Sequence, residues 1–600
     1  MANEKADVAI VGVGWVGGII AAELTKAGLD VVGLERGPIN HRSPGYWDDQ
    51  KHDELRYAVR YELFQNTANE TWSLRHHLNE TALPIRQLGS FLPGTGLGGA
   101  GVHWNGQTWR FHPRDFTIRT SAIDRYGASA IPAGMSIQDW GVTFDELEPY
   151  YDKFEYMAGI AGKAGNLNGK LIEGGNVFEG PRSREFPVAP PPDTEVEAMF
   201  RKAASGLGYH PFYGPTANLP KGYKNPDGVA RGACTYCGFC ERFGCEWGAK
   251  ADPTVTVIPL ALKTGKFKII DYANAFAIKN DGKSAQSILY YDAMGRVQEQ
   301  PADVIVLGAF VFNNVRLLLN SKLGQPYDPV ANTGAVGRNY AYQTGGGGAT
   351  AYLSDFEFNR FMGSGANAVC IDDFNADNFD HTGLGFLGGG SISLGQSGAR
   401  PIQSLAVPPG TPSFGRAWKQ AIKQYYKSVV SIGFQGESPA YQTHYLDLDP
   451  NYRDKYGQPL LRITFDWEPN ERAMIAFAGT KTLQLMQEMV PGATVAGMSG
   501  PLSPTAPHLI QGGPGSLPAH YDTVAYQSTH NTGGAIMGAE PSTSVVNNYL
   551  QMWDTHNVFV VGACNFPQNA GFNPTGTVGA LAYRAAEGII KYHKNGGSLV

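Results

Sequence analysis

Cys234, Cys237, Cys240 and Cys245 put four of the chain's six cysteines into the twelve positions CTYCGFCERFGC. Disulfides between positions three apart would close very small rings, and a reducing compartment would oppose them. Zinc sites commonly separate two ligand pairs by a dozen or more residues, which this run does not. The two-residue gaps are those of ferredoxin-type iron–sulfur ligation, although the last gap is longer and the proline that often follows is missing. Spacing therefore favours an iron–sulfur cluster and leaves zinc open. Cys370 and Cys564 stand alone in the sequence and are expected as buried small hydrophobes.

A second pattern with chemical meaning lies at the N-terminus. Gly12, Gly14 and Gly17 form G-x-G-x-x-G, and Glu35 follows 23 residues after Gly12. The first glycine permits a tight turn, the second lets a pyrophosphate approach the backbone, and the third lets helix and strand pack closely. An acid at that distance accepts the adenosine ribose hydroxyls, and it disfavours a 2′-phosphate, so FAD or NAD is expected rather than NADP.

These glycines need a strand before them and a helix after them, and the surrounding sequence supplies both. Residues 6–37 read as strand, glycine turn, helix, glycine stop and strand; Val8 to Val11 suit a buried parallel strand, and Ile19, Ile20, Ala22 and Leu24 give the helix a packing face. PADVIVLGAF (301–310) is a second buried strand leading into a helix at NNVRLLLNSKLG. NVFVVGAC (557–564) is a third, followed by a proline- and glycine-rich loop and the helix TVGALAYRAAEGIIKYH. Three such units predict one nucleotide-binding domain assembled from discontinuous segments, 1–125, 231–340 and 526–600, with the cysteine loop 234–245 inside it. Residues 126–230 and 341–525 are assigned to a substrate-covering domain with an antiparallel sheet, where LRITFDW (461–467) alternates like a half-buried strand. GVTFDELEPYYDKFEYM (141–157) predicts a helix capped by Thr143. The fold class expected is thus an α/β Rossmann-like domain plus an α+β domain.

Composition narrows the partners. The net charge of −6 and the lack of any Lys/Arg-rich run argue against nucleic acid. Apolar stretches such as VFVV (558–561) fall far short of the ~18 to 20 residues of a membrane span. The start MANEKADVAIVGVG has no basic region leading into an apolar one, so no export signal and no transmembrane helix are expected in this chain.

Residue type alone does not raise His530 above a structural histidine, nor Asn573, before Pro574, above a turn initiator. A family resemblance changes that reading. GTGLGGAGVHWNGQTWRF (94–111), VGRNYAYQ (336–343), QSTHNTGGAIMG (527–538) and GFNPTGTVGALAYRAAEGI (571–589) resemble, in order and spacing, segments of the glucose-methanol-choline oxidoreductases. The proline that often follows the Gly-Ala of the 308–324 segment is absent here. The resemblance implies an FAD domain and a substrate domain, with Gly98 and Gly99 in the flavin loop. It implies that His530 takes the proton of an alcohol, a role suited to an imidazole. Asn573 would orient the substrate hydroxyl, because an amide cannot act as base. His103 stands five residues after Gly98, where relatives with GG-x-x-x-H bind the flavin covalently, and covalent attachment through His103 is expected.

RQLGSFLPGTGLGGAGVHW (86–104), IDDFNADNFDH (371–381) and YLDLDP (445–450) look closest to the flavoprotein large subunits of bacterial membrane-associated sugar and sugar-acid dehydrogenases. That likeness implies a polyhydroxy acid as substrate, D-gluconate oxidised at C2 to 2-keto-D-gluconate. The alternatives are 2-ketogluconate, sorbitol or another sugar, or a flavoprotein that only transfers electrons. It also implies a three-iron cluster, with Cys245, Cys234 and Cys240 the best-matched ligands and Cys237 a spare, or a four-iron cluster using all four. The partners implied are a small subunit with a twin-arginine export signal and a multihaem cytochrome c delivering electrons to ubiquinone, at the periplasmic face of the inner membrane. A relay of this kind belongs to a dehydrogenase, not an oxidase.

Overall fold

In the computed structural model, the strand Ala6–Val11 runs through a seven-stranded sheet between Val31–Leu34 and Val297–Leu307, parallel to both. Val8, Ala9 and Ile10 are wholly shut off from water, which is why this strand reads as an unbroken apolar run. Residues 3–40, 57, 60–68, 70–86, 91–396, 398, 407–408, 410–499 and 529–600 are described. The expected boundary at 525/526, and Gln87 to Ser90, Gln527 and Ser528 of the family segments, lie outside them.

Val558–Val560 pairs in parallel with the end of Val297–Leu307, so the three strands expected to precede glycine turns share one sheet. Phe267–Ile270 extends it beyond Val31–Leu34, and the antiparallel strands Asn274–Asn280 and Ala285–Tyr291 continue it on the far side of Val297–Leu307. Neither Phe267–Ile270 nor Asn274–Asn280 stands out in the sequence, because their mixed burial blurs the period-two pattern.

The helix Trp15–Lys26 departs from its expected single packing face, with ten of twelve residues buried. It lies against the sheet and is also covered by the helices Val257–Lys263 and Thr575–Asn595. Thr575–Asn595 in turn packs on Phe144–Ala158, whose start is the expected Thr143 cap: Thr143 Oγ1 accepts from the Glu146 amide and Glu146 accepts from the Thr143 amide at 2.8 Å.

A second seven-stranded sheet is antiparallel throughout, in the order Thr494–Ser499, Gly348–Tyr352, Val429–Gly436, Gly390–Gly395, Ala368–Ile371 and Phe212–Tyr213, with Thr344–Gly345 also paired to Val429–Gly436. The helix Pro469–Met489 packs against it. The expected strand in LRITFDW forms as Pro459–Thr464, in a four-stranded sheet with Tyr445–Arg453, Ser73–Arg75 and Leu83–Pro84. The molecule thus has the α/β plus α+β architecture that its sequence predicts. No helix among the described residues is long and apolar enough to cross a membrane.

Candidate active site and cysteine pocket

The C-terminal edge of the parallel strands opens into a cleft of about 1440 Å³, part of it open to solvent. Gly12, Gly14 and Glu35 line one wall, and Gly98 and Gly99 another. The two glycine loops touch: the Gly98 amide donates to the Val13 carbonyl at 2.8 Å, and a Cβ on Gly99 would lie 3.7 Å from the Gly14 Cα. Gly17 does not line the cleft. It allows the helix to meet the turn, since a Cβ there would lie 2.1 Å from the Gly12 carbonyl oxygen. Gly12 itself has φ of +89°. No side chain caps the helix at Gly14, so its first-turn amides face the cleft as a pyrophosphate needs. This bare-backbone cradle fits FAD.

Glu35 is buried, and its carboxylate accepts from the amides of Val13 (3.1 Å), Gly37 (2.9 Å) and Gly96 (3.3 Å). Burial pushes its pKa up, against the lowering effect of those amides. The carboxylate therefore binds the two glycine loops together, a role its spacing does not reveal. Beside it Arg36 pairs with Glu70 (2.9 Å), and Arg316 with Glu70 and Asp454 (2.8 Å); all four line the same cleft, and no motif marks them.

Thr529 and Pro574 also line the cleft; their chain neighbours His530 and Asn573 are not among its lining residues. Asn573 Nδ2 lies 3.1 Å from His530 Nε2. The amide's orientation is set by its other end, because Asn573 Oδ1 accepts from Trp109 Nε1 at 3.1 Å and from Gln435 Nε2 at 3.0 Å. An indole N–H can only donate, so the oxygen must face Trp109 and the NH₂ must face His530. His530 Nε2 is therefore an acceptor, and the ring is the neutral Nδ1–H tautomer. Burial lowers its pKa to about 4, which keeps it so at neutral pH. The His530 carbonyl is held by the Gln343 amide (3.2 Å) and Asn569 Nδ2 (2.8 Å). Trp109 stacks on Phe572 at 4.6 Å and 13°. Trp109 lies within a family segment and Gln435 on the strand Val429–Gly436, but neither carries a signal in sequence.

His103 ends the short helix Ala100–His103 after the flavin loop. It is buried, its ring meets Phe64 edge-on at 4.7 Å, and its Nε2 has no hydrogen-bond partner among the described residues. Burial lowers its pKa to about 3. The ring is not among the residues that line the cleft, whereas Gly98 to Gly101 are.

The four cysteines of 234–245 line one small cavity with Asn218 and Glu246. Cys240 is buried and the other three are partly exposed. Among the described residues no three His, Cys, Asp or Glu side chains converge on a single metal-ion position. Cys370 and Cys564 are buried, as expected. The cavity adjoins the flavin loop: the Arg242 amide donates to the His103 carbonyl at 2.6 Å.

A backbone cradle for a dinucleotide, with the chain neighbours of a half-buried, neutral imidazole on its wall, fits an FAD-dependent oxidoreductase acting on CH–OH groups, and the comparisons show that class. The GMC oxidoreductase family model matches residues 442–582. The chain is 44% identical to the gluconate 2-dehydrogenase flavoprotein of Pantoea cypripedii over 100% of its own length and 96% of that protein's. It is 26% identical to the fructose dehydrogenase large subunit of Gluconobacter japonicus over 99% and 100% of the two chains. Its fold is shared with pyridoxine 4-oxidase from Mesorbium loti, at a TM-score of 0.60 and 16% identity, over 98% of this chain and 100% of that one. The chain belongs to the GMC oxidoreductase family.

Proposed function

We propose that the chain is the flavoprotein subunit of a dehydrogenase that oxidises a sugar acid, D-gluconate at C2 to 2-keto-D-gluconate. The observation that carries this reading is the hydrogen-bonded pair of His530 and Asn573, whose chain neighbours Thr529 and Pro574 line the cleft. The 44% identity to the Pantoea cypripedii protein supports the choice of substrate. FAD, when bound, supplies the acceptor for the hydride leaving the alcohol carbon. His530 Nε2 takes the hydroxyl proton. Asn573 Nδ2 carries two N–H donors; one meets His530 Nε2 in the resting site, and the other orients the substrate oxygen. Trp109 and Gln435 keep the amide from rotating. Gly12, Gly14, Glu35, Gly98 and Gly99 hold the dinucleotide, and Gly17 lets the helix close on the turn that forms its cradle. The buried His103 Nε2, with no hydrogen-bond partner among the described residues, supports a covalent bond to the flavin; a tryptic peptide containing His103 without added flavin mass would refute that attachment.

The cavity shared by Cys234, Cys237, Cys240 and Cys245 supports an iron–sulfur cluster, with three irons preferred, as the next electron carrier. A single-electron relay of this kind makes the enzyme a dehydrogenase that delivers to a cytochrome c and then ubiquinone. A small subunit with a twin-arginine signal would carry it to the periplasmic face of the inner membrane.

Anaerobic titration with a panel of sugars and sugar acids tests the reaction. D-Gluconate is expected to bleach the flavin absorbance with one equivalent, and a panel that bleaches nothing would overturn the dehydrogenase reading. Low-temperature EPR and metal analysis of the same sample test the relay, which zinc alone, or iron without a cluster signal, would refute.

A further inference from the structure

Lys250 is completely buried, and its Nζ lies 2.6 Å from the Trp104 carbonyl, 2.8 Å from that of Cys240 and 2.8 Å from that of Phe243. Burial lowers its pKa, while three carbonyls at these distances match the three N–H donors of an ammonium. Among the described residues no carboxylate lies within ion-pair distance of it; the buried Asp252, two residues on, accepts at Oδ1 from Thr254 and acts on Lys250 electrostatically from further off. A second buried cation, Arg231, donates to the carbonyls of Ala158 and Ala249 (3.4 Å). The carboxylate on the cavity wall is Glu246.

A buried cation whose direct partners are neutral carbonyls is costly, a cost that Asp252 offsets in part and that a negative charge in the cysteine cavity would offset further. Two of its three partners belong to the cysteine loop, and the third follows His103. The same two segments are also joined by the hydrogen bond from the Arg242 amide to the His103 carbonyl, at 2.6 Å. One charge therefore sits where the flavin loop meets the cysteine cavity, fixed to both by short hydrogen bonds.

We propose that Lys250 is the positioning residue of the electron exit: its ammonium pins the cysteine loop to the flavin loop, and its charge stabilises the reduced state of a cluster bound there. This rests on the iron–sulfur reading above. A fixed positive charge beside a redox centre favours the form carrying the extra electron, so it raises the one-electron potential. Lysine suits the place because three divergent N–H bonds on one atom reach three carbonyls from two segments.

The test compares the wild-type holoprotein with K250M and K250R by iron-to-flavin ratio and by EPR-monitored potentiometric titration of the cluster. K250M is expected to shift the one-electron equilibrium at least tenfold toward the oxidised cluster, about 59 mV to more negative potential. K250R, which keeps the charge, is expected to stay within threefold of wild type. If K250M loses its iron, K250R with iron at the wild-type potential still supports the proposal. It is overturned if K250M keeps iron within threefold of the wild-type equilibrium, if K250R shifts as far as K250M, or if both variants lose iron. A wild-type protein without a cluster signal would instead overturn the iron–sulfur reading itself, and this proposal with it.

Discussion

Asn573 faces His530 across 3.1 Å with its NH₂ because the indole of Trp109, 3.1 Å from its oxygen, can only donate. This contact sets the tautomer of the proposed base. Replacing His530 by alanine is expected to slow flavin reduction by substrate roughly 10²- to 10⁴-fold, the usual range for a lost general base, with flavin content unchanged. Anaerobic stopped-flow absorbance measures both.

The pH dependence follows from burial. A group whose pKa is lowered to about 4 is unprotonated above that value, so kcat/KM should hold level through neutrality and fall only as pH drops through about 4. An ordinary exposed imidazole would place that fall near 6.5.

Asn573→Asp should move the same limb. A carboxylate at this position stabilises the imidazolium, raising the pKa of His530 and shifting the acid limb toward neutral pH. Activity at pH 5 is then expected to suffer more than activity at pH 8. A limb that stays in place would show that His530 does not supply the titrating group.

Gly17→Ala tests the turn without touching the cofactor. Its Cβ would lie 2.1 Å from the Gly12 oxygen and 3.3 Å from Ile10 Cγ2, so strand and helix must part. We expect a loss of about 1 to 3 kcal/mol in stability and a protein purified with little flavin, measured by thermal melts and by absorbance.

Glu35→Gln removes the charge that gathers three amides from two loops. The new NH₂ meets a backbone N–H where an acceptor is needed, at a cost of about 1 to 3 kcal/mol. Flavin affinity should fall with it. If Glu35 acted only on ribose, the flavin-free protein would melt as wild type does.

The strand-turn-helix at Ala6–Lys26, the capped helix after Thr143 and the packed C-terminal helix were legible because each is local: period, glycine placement and caps are written within some twenty residues. The cysteine run was legible for the same reason. The breadth of burial around Trp15–Lys26 was not, since it comes from two helices more than 200 residues away.

His530, Asn573 and His103 were reachable from sequence only through their likeness to family segments. Their types and places in this chain limit what chemistry they can do. What they do together was decided by tertiary structure alone. Trp109 reaches Asn573 across 464 residues, Gln435 across 138, and Lys250 reaches Trp104 across 146. Hydrogen bonds of that range have no period and no spacing. They exist only once the sheets and loops are packed, when a donor with one possible direction meets an acceptor that has no water left to turn to.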